Sequence, residues 1–160
     1  MTARIAVIIS LTLAFALMAD SAWASSFTKV SAHTSGDELE INFAEHGLEP
    51  GQNYGYTGSA GSVTETLQCY RTRTFTPTPR TIQVSTQNTS PDVRSYRAND
   101  DGVVRGFIFV YPILPSFRGC GARLETVPIF ISFTDYQLVN IVTFDYVDVS
   151  GTVSGPIEPD

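Results

Sequence analysis

The chain carries two cysteines, Cys69 and Cys120, and two histidines, His33 and His46. Two thiols can pair, contribute to a metal site or supply a nucleophile. A structural zinc site needs four closely spaced ligands, and a cysteine nucleophile needs a neighbouring base. The histidines have no accompanying Cys-x-x-Cys spacing, and nothing in the sequence suggests a base for either thiol. An even number of cysteines in an oxidising compartment favours pairing, so we predict a Cys69–Cys120 disulfide.

Paired carboxylates are a second arrangement that could do chemistry, because glycosidases place two acidic side chains across the scissile bond. The candidates are Asp100 with Asp101, Asp135, and Asp145 with Asp148. The first pair stands in a turn-forming Asn-Asp-Asp-Gly sequence, where Asp is expected for backbone reasons. Asp145 and Asp148 are predicted to lie on a strand, with their side chains facing water. No Gly-x-Ser-x-Gly elbow accompanies the histidines. We therefore predict no catalytic residues, no cofactor and no enzymatic activity.

Oxygen-bearing side chains could also hold a cation or a glycan. Asn99, Asp100 and Asp101 supply oxygen ligands within one turn, a composition that suits weak extracellular calcium binding and equally suits a hairpin turn. Asn88-Thr89-Ser90 is a glycosylation sequon in a polar connection. Both alternatives stay open at this stage, and no metal ligand is assigned.

Two sets of residues could bind a partner. Segment 112–128 is predicted to be a loop held by the disulfide, and it would display Phe117, Arg118 and Arg123 as a binding site. Tyrosines give amphipathic contact area, so several of them could line a protein- or carbohydrate-binding face. They could equally be strand formers with hydroxyls at the edge of the fold. The tyrosines in question are Tyr54, Tyr56, Tyr70, Tyr96 and Tyr136.

The first 24 residues indicate export. Arg4 precedes a short apolar run, and Ala22-Trp23-Ala24 places small residues at the positions that signal peptidase requires. The run is shorter than the ~20 residues that span a bilayer, and an N-terminal anchor is the alternative. We predict cleavage after Ala24 and a mature protein outside the cytoplasm, extracellular or periplasmic.

Composition limits the class of partner. The chain has 160 residues, a formal net charge of −6, and 16% charged and 11% aromatic residues. This length suits one domain. The negative charge disfavours nucleic acid, which requires clustered Lys and Arg. No later segment reaches membrane-spanning length. The expected partner is an extracellular protein or a carbohydrate.

Apolar residues alternate with a period of two between turn signals, which is typical of strands. Run 107–111 is apolar on both faces and is expected to be a central strand covered on both sides. Segment 140–149 is expected to be a strand with Val142, Phe144 and Tyr146 on one face. Eight or nine short strands predict an all-β antiparallel sandwich, with a small β-barrel as the alternative.

The expected organisation is a signal peptide at 1–24, one β-sandwich domain at 25–152, and a flexible tail at 153–160. Residues 98–102 are expected to form a hairpin turn. Thr81 to Thr86 is predicted as a short strand, and segments 53–59 and 62–70 as two separate strands.

The sequence GLEPGQNYGY resembles a known structural corner. The spacing of Leu48, Pro50 and Tyr54 is similar to the tyrosine corner of fibronectin type III and related Ig-like domains. The resemblance implies that Leu48 enters the core, that Pro50-Gly51 reverses the chain, and that the Tyr54 hydroxyl bonds to backbone upstream.

The wider arrangement covers most of the chain after residue 24. It comprises the signal peptide, the GLEPGQ turn, a cysteine after a strand, a DDGxxxG hairpin, the second cysteine and a strand ending in Phe-Thr-Asp-Tyr. It looks like a loose group of small secreted bacterial Ig-like β-sandwich proteins of unassigned activity. That resemblance implies a fold and a compartment, and it transfers no catalytic residue.

These observations favour a secreted, non-enzymatic binding or interaction module. A structural component that assembles through its β edges is one alternative. A small extracellular hydrolase that uses acidic residues is the other.

Overall fold

A computed structural model describes residues 25–115 and 119–157. Within them the chain forms strands and turns without a helix. The strands in chain order are β1 (Ser26–Ser35), β2 (Glu38–His46), β3 (Asn53–Arg71), β4 (Thr76–Thr86), β5 (Thr89–Pro91), β6 (Val93–Arg97), β7 (Val104–Pro112), β8 (Leu124–Asn140) and β9 (Tyr146–Pro156).

The strands form two antiparallel sheets. Sheet I has the order β1-β2-β7-β5. Sheet II has the order β4-β3-β8-β9, and β6 pairs with the beginning of β3. The two sheets face each other across one apolar core. The prediction of an all-β antiparallel sandwich is therefore confirmed.

The core follows from the alternation in the sequence. Successive strand residues point to opposite faces, so every second apolar side chain reaches the space between the sheets. The side chains that fill this space from both sheets are completely buried, and they include Leu39, Ile41, Ile108 and Val110 from sheet I and Val63, Ile131, Phe133 and Leu138 from sheet II. Burial of each contributes about 1.5–3 kcal/mol to the free energy of unfolding.

Segments 53–59 and 62–70 belong to one 19-residue strand, β3, rather than to two strands. Gly58, which lies inside this strand, serves close packing. A Cβ on Gly58 would lie 2.6 Å from Ile108 Cδ1 of the opposite sheet. Gly58 therefore lets the two sheets approach, and the strand continues through it.

The polar region 75–100 is more ordered than the sequence indicated. The short strand expected at 81–86 extends back to Thr76 as β4, with Pro77 and Pro79 at the free edge of sheet II, where a missing N–H costs no pairing. Residues 98–102 turn the chain, but they link β6 of sheet II to β7 of sheet I. The expected hairpin is thus a crossover between the sheets.

Segment 140–149 was expected to be one strand, but the structure places a turn at 141–145, between the end of β8 at Asn140 and the start of β9 at Tyr146. The Asn140 side-chain oxygen accepts the N–H groups of Val142 and Thr143 at 3.0 and 3.3 Å. Val142, Phe144 and Tyr146 are 54%, 77% and 64% exposed. The alternation of apolar residues was misleading because the hydrogen bonds that the Asn140 side chain accepts from the backbone reverse the chain there.

The expected tail at 153–160 begins within β9. This strand runs to Pro156, which pairs with Phe130. Val153 packs against the core. Residues 153–156 therefore belong to sheet II, and residues 158–160 lie outside the described residues.

The Cys69–Cys120 disulfide is confirmed, with a Cα–Cα distance of 5.7 Å. Both cysteines are buried. The bond fastens the segment before β8 to the inner face of β3. No helix in the described part of the chain is long and apolar enough to cross a membrane. The signal peptide expected at 1–24 falls outside the described residues.

Candidate ligand-binding face

The binding loop predicted at 112–128 is shorter than expected, because Pro112 ends β7 and residues 124–128 already belong to β8, and it is described only in part. Phe117 and Arg118 lie outside the described residues. Arg123 is exposed and has a positive φ of 69°. Its carbonyl oxygen accepts hydrogen bonds from the N–H and the hydroxyl of Thr72, at 3.3 and 3.0 Å. The backbone of Arg123 therefore supports the turn between β3 and β4, and its side chain lies at the surface.

The tyrosine face considered in the sequence does not form. Tyr54, Tyr56 and Tyr136 are at most 7% exposed and belong to the core. Tyr70 and Tyr96 are half-buried. The first two tyrosines share the inward face of β3, so the alternation that makes them strand residues also carries them inside.

The corner segment has a compact geometry. Leu48 is 2% exposed, and its N–H donates to the Gly102 carbonyl at 3.0 Å. Gly51 has a φ of 78°, which reverses the chain after Pro50. The Glu49 N–H donates to the Tyr54 hydroxyl oxygen at 2.9 Å. The corner thus ties the start of β3 to the crossover at 98–102.

The residues considered for calcium serve the backbone of their own turn. Asn99 Oδ1 accepts the N–H groups of Asp101 and Val103 at 3.1 and 2.8 Å. Asp100 is exposed. In the part of the chain that the structure describes, no three His, Cys, Asp or Glu residues are grouped to hold a metal ion. The sequon residue Asn88 is exposed between β4 and β5.

The other candidate carboxylates have structural partners. Asp135 Oδ1 accepts the Gly151 N–H at 3.0 Å, where β8 and β9 shift register. Asp148 Oδ1 accepts a hydrogen bond from Gln137 Nε2 at 2.7 Å. The Asp145 carboxylate accepts the hydroxyl of Ser25. Each of these groups holds two segments together.

A row of aromatic side chains covers the outer face of β7. Because Ile108 and Val110 point inward, Phe107, Phe109 and Tyr111 point outward; we call these three residues the aromatic strip. Successive ring centroids are 5.5 and 6.2 Å apart, and the planes are inclined by 70° and 51°. Phe107 is 36% exposed. Run 107–111 was expected to be covered on both sides, but its outer face is partly open to solvent, with Phe109 and Tyr111 half-buried.

Arg94 of β6 lies against the aromatic strip. Its guanidinium carbon is 4.5 Å from the Phe107 centroid and 5.0 Å from that of Phe109. The Asp92 carboxylate pairs with the same guanidinium. That hydrogen bond raises the pKa of Arg94 above its ordinary value. The strip is therefore flanked by a fixed, planar group of hydrogen-bond donors.

Polar side chains on β2 border the other side of the strip. Glu40 is opposite Phe109 and Asn42 is opposite Phe107 in the β2–β7 register. Asn42 Nδ2 donates to Glu40 Oε1 at 2.8 Å, and His33 Nε2 lies 3.7 Å from Glu40 Oε2. Apolar rings and oriented hydrogen-bonding groups therefore alternate across the outer face of sheet I.

Tyr96 secures the free edge of β7 beside the strip. Its hydroxyl accepts the Phe107 N–H at 3.1 Å and donates to the Phe107 carbonyl. Its ring lies over Gly106, where an added Cβ would be 2.6 Å from Tyr96 Cζ. A side chain on β6 thus satisfies an edge that β5 leaves open.

The two ends of this face differ in charge. At the β7 start, Lys29 of β1 and Arg105 of β7 are both register partners of Ala44 of β2. The two cationic residues therefore lie on either side of this small residue, and their strand positions are about 10 Å apart, which is two strand spacings. Two adjoining depressions of about 320 and 600 Å³ open there, sharing His46 and Arg105. We call this region, lined by Lys29, His46, Arg97 and Arg105, the basic groove.

The opposite end, around Tyr111, is acidic. Burial and the charges of Asp37 and Asp92 raise the pKa of Glu38 above its ordinary value. Burial and the charges of Glu38 and Asp92 likewise raise the pKa of Tyr111. The aromatic strip therefore runs from a basic groove to an acidic end.

Sequence reasoning missed the buried polar residues Glu45, Glu65 and Asn140, which are at most 2% exposed. Asn140 Nδ2 donates to Glu45 Oε2 at 2.9 Å. A signal for both glutamates existed. Glu45 has the parity of Ile41 and the other inward residues of β2, and Glu65 stands between inward residues of β3.

A second exposed apolar feature is the turn after β8. Ile141, Val142 and Phe144 are 43%, 54% and 77% exposed. Nothing in the structure shows what covers this turn, and it has no oriented polar groups comparable to those beside the aromatic strip.

Comparison with protein-family models, with curated proteins and with solved structures gives no match. The candidate face therefore rests on the geometry described above.

Proposed function

We propose that this protein is a secreted, non-enzymatic β-sandwich module that binds an oligosaccharide chain along the outer face of sheet I. The observation that carries the proposal is the aromatic strip of Phe107, Phe109 and Tyr111, flanked by Arg94 and by the Glu40–Asn42 pair.

A sugar chain fits this mixture of groups. A pyranose ring has C–H groups on its faces and hydroxyls at its edge. Aromatic rings attract the C–H groups through the negative charge of their faces. Glu40 and Arg94 supply an acceptor and several donors at the level of the hydroxyls. The spacings of 5.5 and 6.2 Å are close to the length of one sugar unit in an extended chain.

The inclination of the rings defines the form of the ligand. Adjacent planes differ by 70° and 51°, so they do not make a flat platform for a crystalline surface. A single twisted chain can present a different face to each ring. The expected ligand is therefore a soluble, isolated polysaccharide chain.

Binding is tested by calorimetric titration with cello-oligosaccharides and with mannuronate oligosaccharides of the same linkage. We expect Phe107→Ala to weaken binding about tenfold, because one stacking surface is lost. Phe130→Ala is the matched control, since Phe130 is 41% exposed on the outer face of sheet II.

Two outcomes would contradict the proposal. One is that neither oligosaccharide binds. The other is that Phe130→Ala weakens binding as much as Phe107→Ala. Circular dichroism of both variants establishes that the sandwich is intact.

Export is a separate part of the proposal. It is supported by the signal-peptide pattern before Ser25, and by the contact of the Ser25 hydroxyl with Asp145, which fastens that residue to the domain. We expect N-terminal sequencing of the protein recovered outside the cytoplasm to begin at or within a few residues of Ser25. Recovery of a chain that begins at Met1 would contradict cleavage.

A further inference from the structure

We infer that the saccharide carries acidic groups, and that one carboxylate or sulfate group binds in the basic groove between Lys29 and Arg105. This inference rests on the proposed function, because it assigns the chemical class of the ligand that lies on the aromatic strip.

The basic groove carries uncompensated positive charge. Lys29, Arg97 and Arg105 line it together with His46. In the described residues, ion pairs join His33 to Glu40 and Arg94 to Asp92, and none involves the three cations of the groove. One acidic residue, Asp101, also lines it. Three permanent cations against one carboxylate leave a positive site on a chain whose net charge is −6.

A recess lies between the side chains of Lys29 and Arg105. Ala44 separates Lys29 from Arg105 and is small enough to leave a recess between the two longer side chains. A gap of about 10 Å between the strand positions lets both heads turn toward one anion. Arg105 offers a planar fork that matches a carboxylate or a sulfate, and Lys29 adds a point charge.

The basic groove is continuous with the aromatic strip along β7. Arg105 points to the same side of β7 as Phe107, Phe109 and Tyr111, and it precedes Phe107 by one outward position. A chain that stacks on the strip therefore reaches the groove within one further sugar unit, so both features can hold one ligand.

The charge gradient along the face favours one end for the acidic group. An acidic group placed beside Tyr111 would meet Glu38, Asp37 and Asp92 and would be repelled. The same group placed beside Arg105 is attracted. The acidic group is therefore bound at the β7 start of the face.

The test compares three soluble ligands with one backbone linkage: cello-oligosaccharides, sulfated cello-oligosaccharides and mannuronate oligosaccharides. At low ionic strength we expect the acidic ligands to bind at least about tenfold more tightly than the neutral one, a difference that salt reduces. The double variant Lys29→Gln/Arg105→Gln should lose this preference and keep its affinity for the neutral ligand.

Arg71→Gln/Arg73→Gln is the control, because it removes the same charge from exposed positions at the far end of sheet II. It should keep the preference. Tighter binding of the mannuronate ligand identifies a carboxylate as the bound group, and tighter binding of the sulfated ligand identifies a sulfate ester.

Equal affinity for neutral and acidic ligands would overturn this inference and leave the aromatic strip as the binding site. The inference is also overturned if the control variant loses the preference to the same extent. Absence of binding to all three ligands would instead overturn the proposed function itself.

Discussion

The Tyr54 hydroxyl accepts one backbone hydrogen bond, from Glu49, and this bond defines the corner before β3. Tyr54→Phe removes it and should lower the free energy of unfolding by about 0.5–1.5 kcal/mol. Leu48→Ala should lower it by about 2–5 kcal/mol, because a buried leucine leaves a cavity. Urea denaturation measures both effects.

Tyr146→Phe is the control for the lost hydroxyl, since Tyr146 is 64% exposed and should change stability little. An unfolding midpoint of Leu48→Ala equal to that of the unmodified protein would show that the corner does not support the core.

Glu45 contributes a pH dependence of stability. Burial raises its pKa above the ordinary value of 4.5, outweighing the hydrogen bond from Asn140, and the nearby charge of Asp145 raises it further. The folded protein therefore holds the Glu45 proton more tightly than the unfolded chain. Stability due to this group is greatest below pH 4.5 and falls as pH rises from there through the folded-state pKa.

Glu45→Gln should remove this dependence while retaining an acceptor for Asn140. We expect its free energy of unfolding at neutral pH to equal or exceed that of the unmodified protein. Unfolding is measured from pH 4 to pH 8, with the exposed Glu49→Gln as the control. A strong loss of stability confined to Glu45→Gln at neutral pH would contradict this account.

At the scale of elements, the edge of β7 depends on a close contact between Gly106 and Tyr96. Gly106→Ala would place a methyl group 2.6 Å from Tyr96 Cζ. The ring would have to move, and its hydroxyl would leave Phe107. We expect a loss of about 1–3 kcal/mol in denaturation measurements.

A double-mutant cycle tests the cause of that loss. In a Tyr96→Ala background the clash is absent, so adding Gly106→Ala should cost much less. An equal cost in both backgrounds would show that the ring is not responsible.

The strands also show how much of the fold could be predicted from the sequence. Alternation identified β2 and β8, because one face of each strand is apolar, whereas β7 was identified by a run that is apolar on both faces. Alternation failed at 141–145, where the Asn140 side-chain oxygen accepts backbone hydrogen bonds and makes a turn that burial patterns do not encode. It also could not reveal that the outer face of β7 is open, because two-sided apolar runs occur in strands that are covered on both sides.

The candidate face could not be located from sequence because it joins distant segments. Arg94 reaches the strip from β6, and Lys29 reaches Arg105 across β2. The resulting neighbours depend on the pairing of β1, β2 and β7. By contrast, the disulfide followed from an even number of cysteines in a chain expected to be exported to an oxidising compartment.

At the scale of the molecule, the disulfide and the basic groove are at opposite ends. Tyr54, in the corner, and Cys69 lie near opposite ends of the 19-residue β3, roughly 50 Å apart along the strand. Cys120→Ser should lower the free energy of unfolding by about 2–5 kcal/mol and leave Cys69 as a free thiol. Its affinity for an acidic oligosaccharide should stay unchanged.

Thiol titration of the unfolded protein without reductant tests for the disulfide. It should detect essentially no free thiol in the unmodified protein. Two reactive thiols in the unmodified protein would contradict the disulfide.

The sandwich presents two outer faces of different character. Sheet I carries aromatic rings between a basic groove and an acidic end. Sheet II carries uncharged hydroxyl pairs, such as Thr64 with Ser85 and Thr134 with Thr152. On sheet I, aromatic rings and cations without an ion-pair partner therefore lie on one face, which suits a ligand that needs both stacking and charge.

Binding of an acidic oligosaccharide at the aromatic strip is tested most directly by NMR, by mapping the backbone amide shifts during titration with a mannuronate oligosaccharide. We expect the shifted amides to cluster on β2 and β7, from Arg105 to Tyr111, and around Lys29. Shifts confined to the outer face of sheet II or to segment 112–128 would contradict binding at the aromatic strip.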